Sequence, residues 1–240
     1  MTLLRGYTEG ADDHAVFTGL SKAGLIAPNV EFAKASGGEP KLVPDAMPFV
    51  MDVGGTAIVF RDCDGMSARA TLDWFEDQAR QHFGVHVANR LPSLRCIEIR
   101  AGKGRMYGVV VGRVDDAAFR AEHSITHHAI DDHVLQLALT EAIYRKLHHQ
   151  IAPDVPHALA VKKLREVPDL LRRNGIAVTS SKRLMHILRA ITGFRASPAT
   201  FVDELFKAAK KAGVSLDVLR QIHEPLLTDI TDAIAAATRL

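Results

Sequence analysis

Apolar positions in the first hundred residues come in short runs rather than long stripes. Leu3 to Thr8 reads as a brief strand ending at Glu9-Gly10. Asp13 to Ala23 then switches to helical spacing, with Val16, Phe17 and Leu20 on one face and Gly24 as its stop. Val30 to Ala35 is a second strand that closes on Gly37-Gly38, and a stretch punctuated by Pro40, Pro44 and Pro48 reads as a connection to the next one. Thr56 to Phe60 is a continuous apolar run, the pattern of a parallel strand buried on both faces, and it delivers Arg61-Asp62-Cys63-Asp64-Gly65. A helix over Ser67 to Phe83 follows. Arg95 to Arg100 and Tyr107 to Arg113 then form a hairpin joined at Gly102-Lys103-Gly104.

From Asp131 the period becomes helical and stays so. Asp132 to His149 places Val134, Leu135, Ala138, Leu139, Ala142 and Ile143 on one stripe, and Pro153 and Pro156 mark a linker. Helices are expected at roughly 157–174, 180–193, 198–212 and 215–238, the last bent at Pro225. The pattern predicts an α/β fold: residues 1–150 form a sheet of mostly parallel strands flanked by helices, and residues 151–240 form an all-helical region.

Composition changes this picture little: 47% hydrophobic and 24% charged residues suit an ordinary globular protein, with no stretch long enough to span a membrane. Cys63 and Cys96 make no CxxC pair, which argues against a disulfide framework or cysteine-ligated zinc and favours a reducing cytoplasm. Charge is more informative. Residues 1–140 carry 14 Lys and Arg against 18 Asp and Glu, a balance of −4, whereas residues 141–240 carry 16 against 10, or +6. An acidic front that gathers cations and a basic rear that meets a polyanion would produce this asymmetry, as would a set of solvated Lys/Arg-rich helices.

Two acidic constellations sit where strands hand over to helices. Glu9 stands at the carboxyl end of the first strand, Gly10 permits a sharp turn, and Asp13 falls in the first helical turn, from where its side chain can reach back. Asp12 is assigned to capping, the ordinary role of an aspartate at a helix start. Asp62 and Asp64 project to one side of an extended chain while Cys63 turns to the other, and two converging carboxylates call for a cation between them. Magnesium, a hard oxygen-seeking ion that retains waters, is the expected one, with manganese as its substitute.

Taken in this order, the motifs resemble the TOPRIM domain shared by topoisomerases, primases and OLD-type nucleases. Its signature is a Glu after the first strand and a DxD after the third, on a small Rossmann-like sheet. Glu9-Gly10-Ala11-Asp12-Asp13 looks like the form typical of the nuclease-like branch, and Asp62-Cys63-Asp64 matches the DxD. Gly37-Gly38 and Ile130-Asp131-Asp132-His133-Val134-Leu135 also resemble elements of small OLD-related proteins; Thr8 departs from the pattern, being polar where an apolar residue usually precedes the Glu. The resemblance covers about residues 1–140. It implies that Asp62 and Asp64 hold magnesium, that Asp13 helps, and that Glu9 acts as general acid/base or further ligand. Asp132 is a further candidate ligand, although capping is the ordinary reading of Asp131 and Asp132. OLD-type nucleases use a lysine late in the chain, for which Lys182 is the candidate, at a helix start that also offers its amides to a phosphate. Arg183 beside it, and Arg100, Lys103 and Arg105 at the hairpin, are candidate nucleic-acid contacts.

The expected activity is magnesium-dependent hydrolysis of phosphodiester bonds in DNA or structured RNA, in nucleic-acid processing or phage defence. OLD nucleases carry an ATPase domain with no counterpart in these motifs, which implies an ATPase partner in trans. Leu216, Leu219, Ile222, Leu226, Ile230 and Ile234 form a helical stripe that suits a core or a homodimer face. Two rivals remain: a non-catalytic TOPRIM-fold binding or scaffold protein, and a His/Asp metal phosphohydrolase using His123, His127, His128 and His133.

Overall fold

The computed structural model describes residues 4–63, 65–84, 88–91, 95–112, 117–126, 130–151 and 155–238. The chain divides into two compact units, one formed by Met1–Val111 with Leu226–Leu240 and the other by Gly112–Pro225. The division falls nearer the middle of the chain than the expected one at residue 150, and the end of the chain belongs to the first unit.

In the first unit, β1 (Leu4–Thr8), β2 (Glu31–Lys34), β3 (Thr56–Asp62), β4 (Ala88–Leu91), β5 (Cys96–Ala101) and β6 (Gly104–Val111) form one sheet in the order β2-β1-β3-β6-β5-β4. β2, β1, β3 and β6 run parallel, and β5 and β4 add an antiparallel edge. The helices are α1 (Ala11–Lys22), α2 (Glu39–Met51) and α3 (Ala68–Phe83). Phe17 of α1 meets Phe32 and Phe60 on one face of the sheet. Leu42, Val43, Ala46, Met47 and Val50 of α2, with Phe75 and Ala79 of α3, pack with Tyr7, Ala57, Val59 and Met106 on the other. The two crossover helices therefore lie on opposite faces, and the winding reverses between β1 and β3.

α2 occupies the proline-punctuated stretch that reads as a connection in the sequence. Pro40 sits in the first turn, where its missing N–H costs nothing, and Pro44 and Pro48 follow at four-residue intervals on the side away from the buried stripe. Burial of Leu42, Val43, Met47 and Val50, at roughly 1.5–3 kcal/mol each, offsets two interior prolines at about 3 kcal/mol each. α3 starts on Ser67, whose hydroxyl accepts from the Ala70 amide, and ends on Gly84 with φ 63°. Gly108 allows Phe75 to lie against β6, because a Cβ there would come within 2.6 Å of the ring.

The second unit is helical: α4 (Ala117–His123), α5 (Asp131–Leu139), α6 (Glu141–Ile151), α7 (His157–Arg173), α8 (Ser181–Ile191), α9 (Pro198–Lys211) and the first part of α10 (Leu216–Thr238). The single helix expected over 132–149 is broken at Thr140, whose ψ of 115° is extended and whose carbonyl accepts the Tyr144 amide to start α6. Its hydroxyl donates to the Gln136 carbonyl, so the threonine caps both pieces. The remainder of α10 belongs to the first unit, where the Tyr107 hydroxyl donates to the Ala236 carbonyl at 3.3 Å.

Candidate active site at the carboxyl edge of the sheet

β1 and β3 are paired in parallel with Thr8 beside Phe60, so Glu9 leaves β1 next to the point where Asp62 ends β3. This is the crevice at which the winding reverses, the place where open α/β sheets hold ligands. Thr8, the departure from the apolar pattern, is fully buried and directs its hydroxyl to the Ala33 carbonyl of β2 at 3.5 Å, while its own carbonyl accepts the Ala35 amide at 2.8 Å. Thr8 thus ties the edge strand to β1 directly beneath Glu9.

Asp13 folds back over the turn and accepts the Gly10 amide on Oδ2 at 2.9 Å. The capping bond expected of Asp12 is made by Asp13 instead. Gly10 is extended at the helix start (φ −119°, ψ 175°), and the close neighbour a Cβ there would meet is the movable Asp12 Oδ1 at 2.6 Å. Asp62 is half-buried at the end of β3. Cys63 is buried as expected and accepts a hydrogen bond from Arg95 Nη2 at 3.3 Å. Burial pushes its thiol up while Arg95 and Arg61 pull it back, and a protonated thiol is a poor metal ligand. Asp64 lies outside the described residues. Gly65 follows with φ 85°, turning the chain toward α3.

The edge thus offers Glu9, Asp13 and Asp62, an all-oxygen donor set of the kind a hard divalent cation prefers. Among the described residues no three His, Cys, Asp or Glu side chains already gather as a metal cluster.

Other candidates fall elsewhere. Thr56, at the start of β3, pairs with Arg105, so the β5–β6 hairpin tip is at the amino edge of the sheet. It is separated from Asp62 by the length of β3, about 20 Å at roughly 3.3 Å per residue. There the buried carboxylate of Glu98 receives Arg100 Nε at 3.1 Å and lies 3.4 Å from Arg105 Nη1, while Lys103 is exposed. These three cations do not join the carboxylates in one site.

In the second unit Asp132 is fully buried and accepts the Ser181 hydroxyl. Lys182 is exposed in the first turn of α8, and Arg183 donates to the Ala177 carbonyl. His123 and His133 line a cavity of about 640 Å³, whereas His127 and His128 lie outside the described residues. His123 ends α4, and burial lowers its pKa. His223, absent from the sequence reading, stacks against His133 and Phe206 and donates Nδ1–H to the Leu219 carbonyl at 2.8 Å.

Over 96% of its length the chain is similar to a solved structure. That structure is the crystal structure of a hypothetical protein from Pyrococcus horikoshii OT3, covered over 100% of its chain with a TM-score of 0.57 and 14% identity. The likeness is one of fold. No family model matches the chain, and no curated protein does.

Arg61 is a candidate that the sequence patterns leave out, and Trp74 packs, partly buried, against the core cluster. Arg61 is 4% exposed, donates from Nη2 to Glu39 Oε1 at 2.5 Å and lies 4.2 Å from the centre of the Trp74 ring. The signal was an arginine closing an otherwise apolar strand.

Proposed function

We propose that the first unit is a metal-dependent phosphodiesterase acting on nucleic acid, with its reaction centre at the carboxyl edge between β1 and β3. The observation that carries this reading is that Glu9 and Asp62 end adjacent parallel strands at the reversal of the sheet's winding. Carboxylates ending neighbouring strands at a ligand crevice suit a cation-dependent reaction better than a scaffold, which has no use for the repulsion they would meet on converging. The TOPRIM resemblance of the same residues, Glu9-Gly10 and Asp62-Cys63-Asp64, supports it independently of the fold.

In this reading Asp62 and Asp64 hold magnesium, with Asp13 contributing from its turn. Such an ion, when bound, would lower the pKa of a coordinated water so that it can lose a proton and attack phosphorus, and would set positive charge against the leaving oxygen. Glu9 is held beside that place by the Thr8 anchor and by the turn that Asp13 closes on the Gly10 amide, and it takes or returns the proton. Asp13, already hydrogen-bonded to Gly10, orients the turn whether or not it touches the ion. The substrate is DNA or structured RNA, and the ATPase partner, the homodimer and a cytoplasmic setting belong to the same proposal.

The test is incubation of the full chain with labelled single-stranded, duplex and structured DNA and RNA, with magnesium or manganese and with chelator. Cleavage should require the metal and fall by on the order of a hundredfold or more in Glu9→Gln and Asp62→Asn. Activity that survives both substitutions would sink this mechanism.

A further inference from the structure

Beside the carboxyl edge, on the α2–α3 face of the sheet, a cleft of about 440 Å³ opens between the start of α2 and the middle of α3. Its walls include Glu39, Lys41, Pro44, Trp74, Gln78 and His82. Arg61 lies between two of these, its guanidinium over the Trp74 ring and its Nη2 on Glu39. The Arg61 side chain is 5% exposed, and its Nε and Nη1 have no hydrogen-bond acceptor among the described residues. Glu39, the carboxylate it does meet, is 39% exposed. A buried guanidinium is expensive unless its donors are satisfied, and here most of them are not. Gln78 Oε1 is likewise buried without a partner among the described residues.

The cleft walls combine the edge of an aromatic ring, the Gln78 amide and the Lys41 cation against the Glu39 carboxylate, and the Arg61 guanidinium is buried directly behind two of those walls, Trp74 and Glu39. Arg61 is also the residue before Asp62 on β3. A bare anion would have no use for the ring and the amide, and an apolar ligand would have no use for the guanidinium. We infer that this cleft holds one nucleotide of a single-stranded nucleic acid, its base against Trp74 and Gln78 and its phosphate toward Arg61 and Lys41. The strand then continues to the carboxylates at the same edge. This subsite rests on the phosphodiesterase reading for its strand, but binding to it needs neither metal nor turnover.

Trp74 is the sole tryptophan of the chain, so its fluorescence reports the cleft directly. The full chain in chelator is titrated with a 5′-mononucleotide, the matching nucleoside, inorganic phosphate and a short single-stranded oligonucleotide. Saturable quenching is expected with the mononucleotide and more tightly with the oligonucleotide, with the nucleoside and phosphate alone each weaker by about tenfold or more. Gln78→Glu, which adds a carboxylate while leaving Arg61 in place, should weaken both ligands by about tenfold. Arg61→Lys should do the same, and the unfolding midpoint of each variant checks that the fold persists. No response to any ligand, or quenching untouched by Gln78→Glu in a folded protein, overturns the subsite. Binding of the mononucleotide without the oligonucleotide overturns its place on a strand. Quenching of the wild-type chain in chelator without metal-dependent cleavage would reject the catalytic reading and leave the subsite standing.

Discussion

His223 shows how one side chain can make a unit sensitive to pH. It is fully buried against His133 and Phe206, and burial, helped by His133, lowers its pKa from 6.5 to about 3. The folded state therefore keeps the ring neutral while the unfolded chain protonates it below about 6.5. Between that value and 3 the unfolded state binds the extra proton, so this contribution to stability is complete above 6.5 and is lost as pH falls toward 3. Thermal unfolding followed by circular dichroism should show the second unit weakening across that window, and His223→Gln should flatten the dependence. An unchanged slope in the variant would assign the effect elsewhere. At the same scale, the sequence made Glu9, Asp13 and Asp62 visible because carboxylates after strands form a local pattern. Arg61, Trp74 and Gln78 were not visible as a group, since they converge only when β3 and α3 pack. The capping bond went to Asp13 rather than Asp12 because the turn at Gly10 brings the third helical residue back, a detail of backbone direction that composition does not carry.

Among the elements, β3 and α3 were legible and α2 was not. β3 has an apolar run and α3 has a start and a stop in Ser67 and Gly84. Replacing Ser67 by alanine should cost about 1 kcal/mol of stability by removing the acceptor for the Ala70 amide, measurable by denaturant unfolding. α2 was hidden by its prolines, which are normally read as breaks. Their four-residue spacing keeps them on one side, and the buried stripe Leu42, Val43, Met47 and Val50 then outweighs them. Pro48→Ala restores a donor to a solvent-facing turn and should raise stability by on the order of 1 kcal/mol; a fall would mean that proline's restriction of the unfolded chain dominates. The break at Thr140 was equally hidden, because the apolar stripe continues in phase across it.

For the whole molecule, the α/β sheet with a helical region was foreseen, and the path of the chain between them was not. Periodicity shows where helices begin but not which unit a helix joins, so the expected boundary near 150 differs from the division at Val111. The clearest case is Leu226–Leu240, which returns to the first unit after the whole second unit has been threaded. Ending the chain at Pro225 should remove the burial of Leu226, Leu227 and Ile230, roughly 5–9 kcal/mol in sum and comparable to the stability of a domain. The truncated chain is expected to lose cooperative unfolding of the sheet, as read by Trp74 fluorescence. Tyr107→Phe, which gives up the hydrogen bond to Ala236 and the hydroxyl's interaction with Arg105, should cost about 1 kcal/mol.

That return of the last helix sets an order on synthesis. The strands that carry Glu9 and Asp62 leave the ribosome before residues 112–225, but the residues that complete their unit leave only after them. At about 5–20 residues per second the wait is on the order of ten seconds, during which the second unit can fold and the sheet stays short of its final helix. A nascent chain stalled before Leu226 would then hold a finished helical unit and a sheet that still lacks the helix completing it.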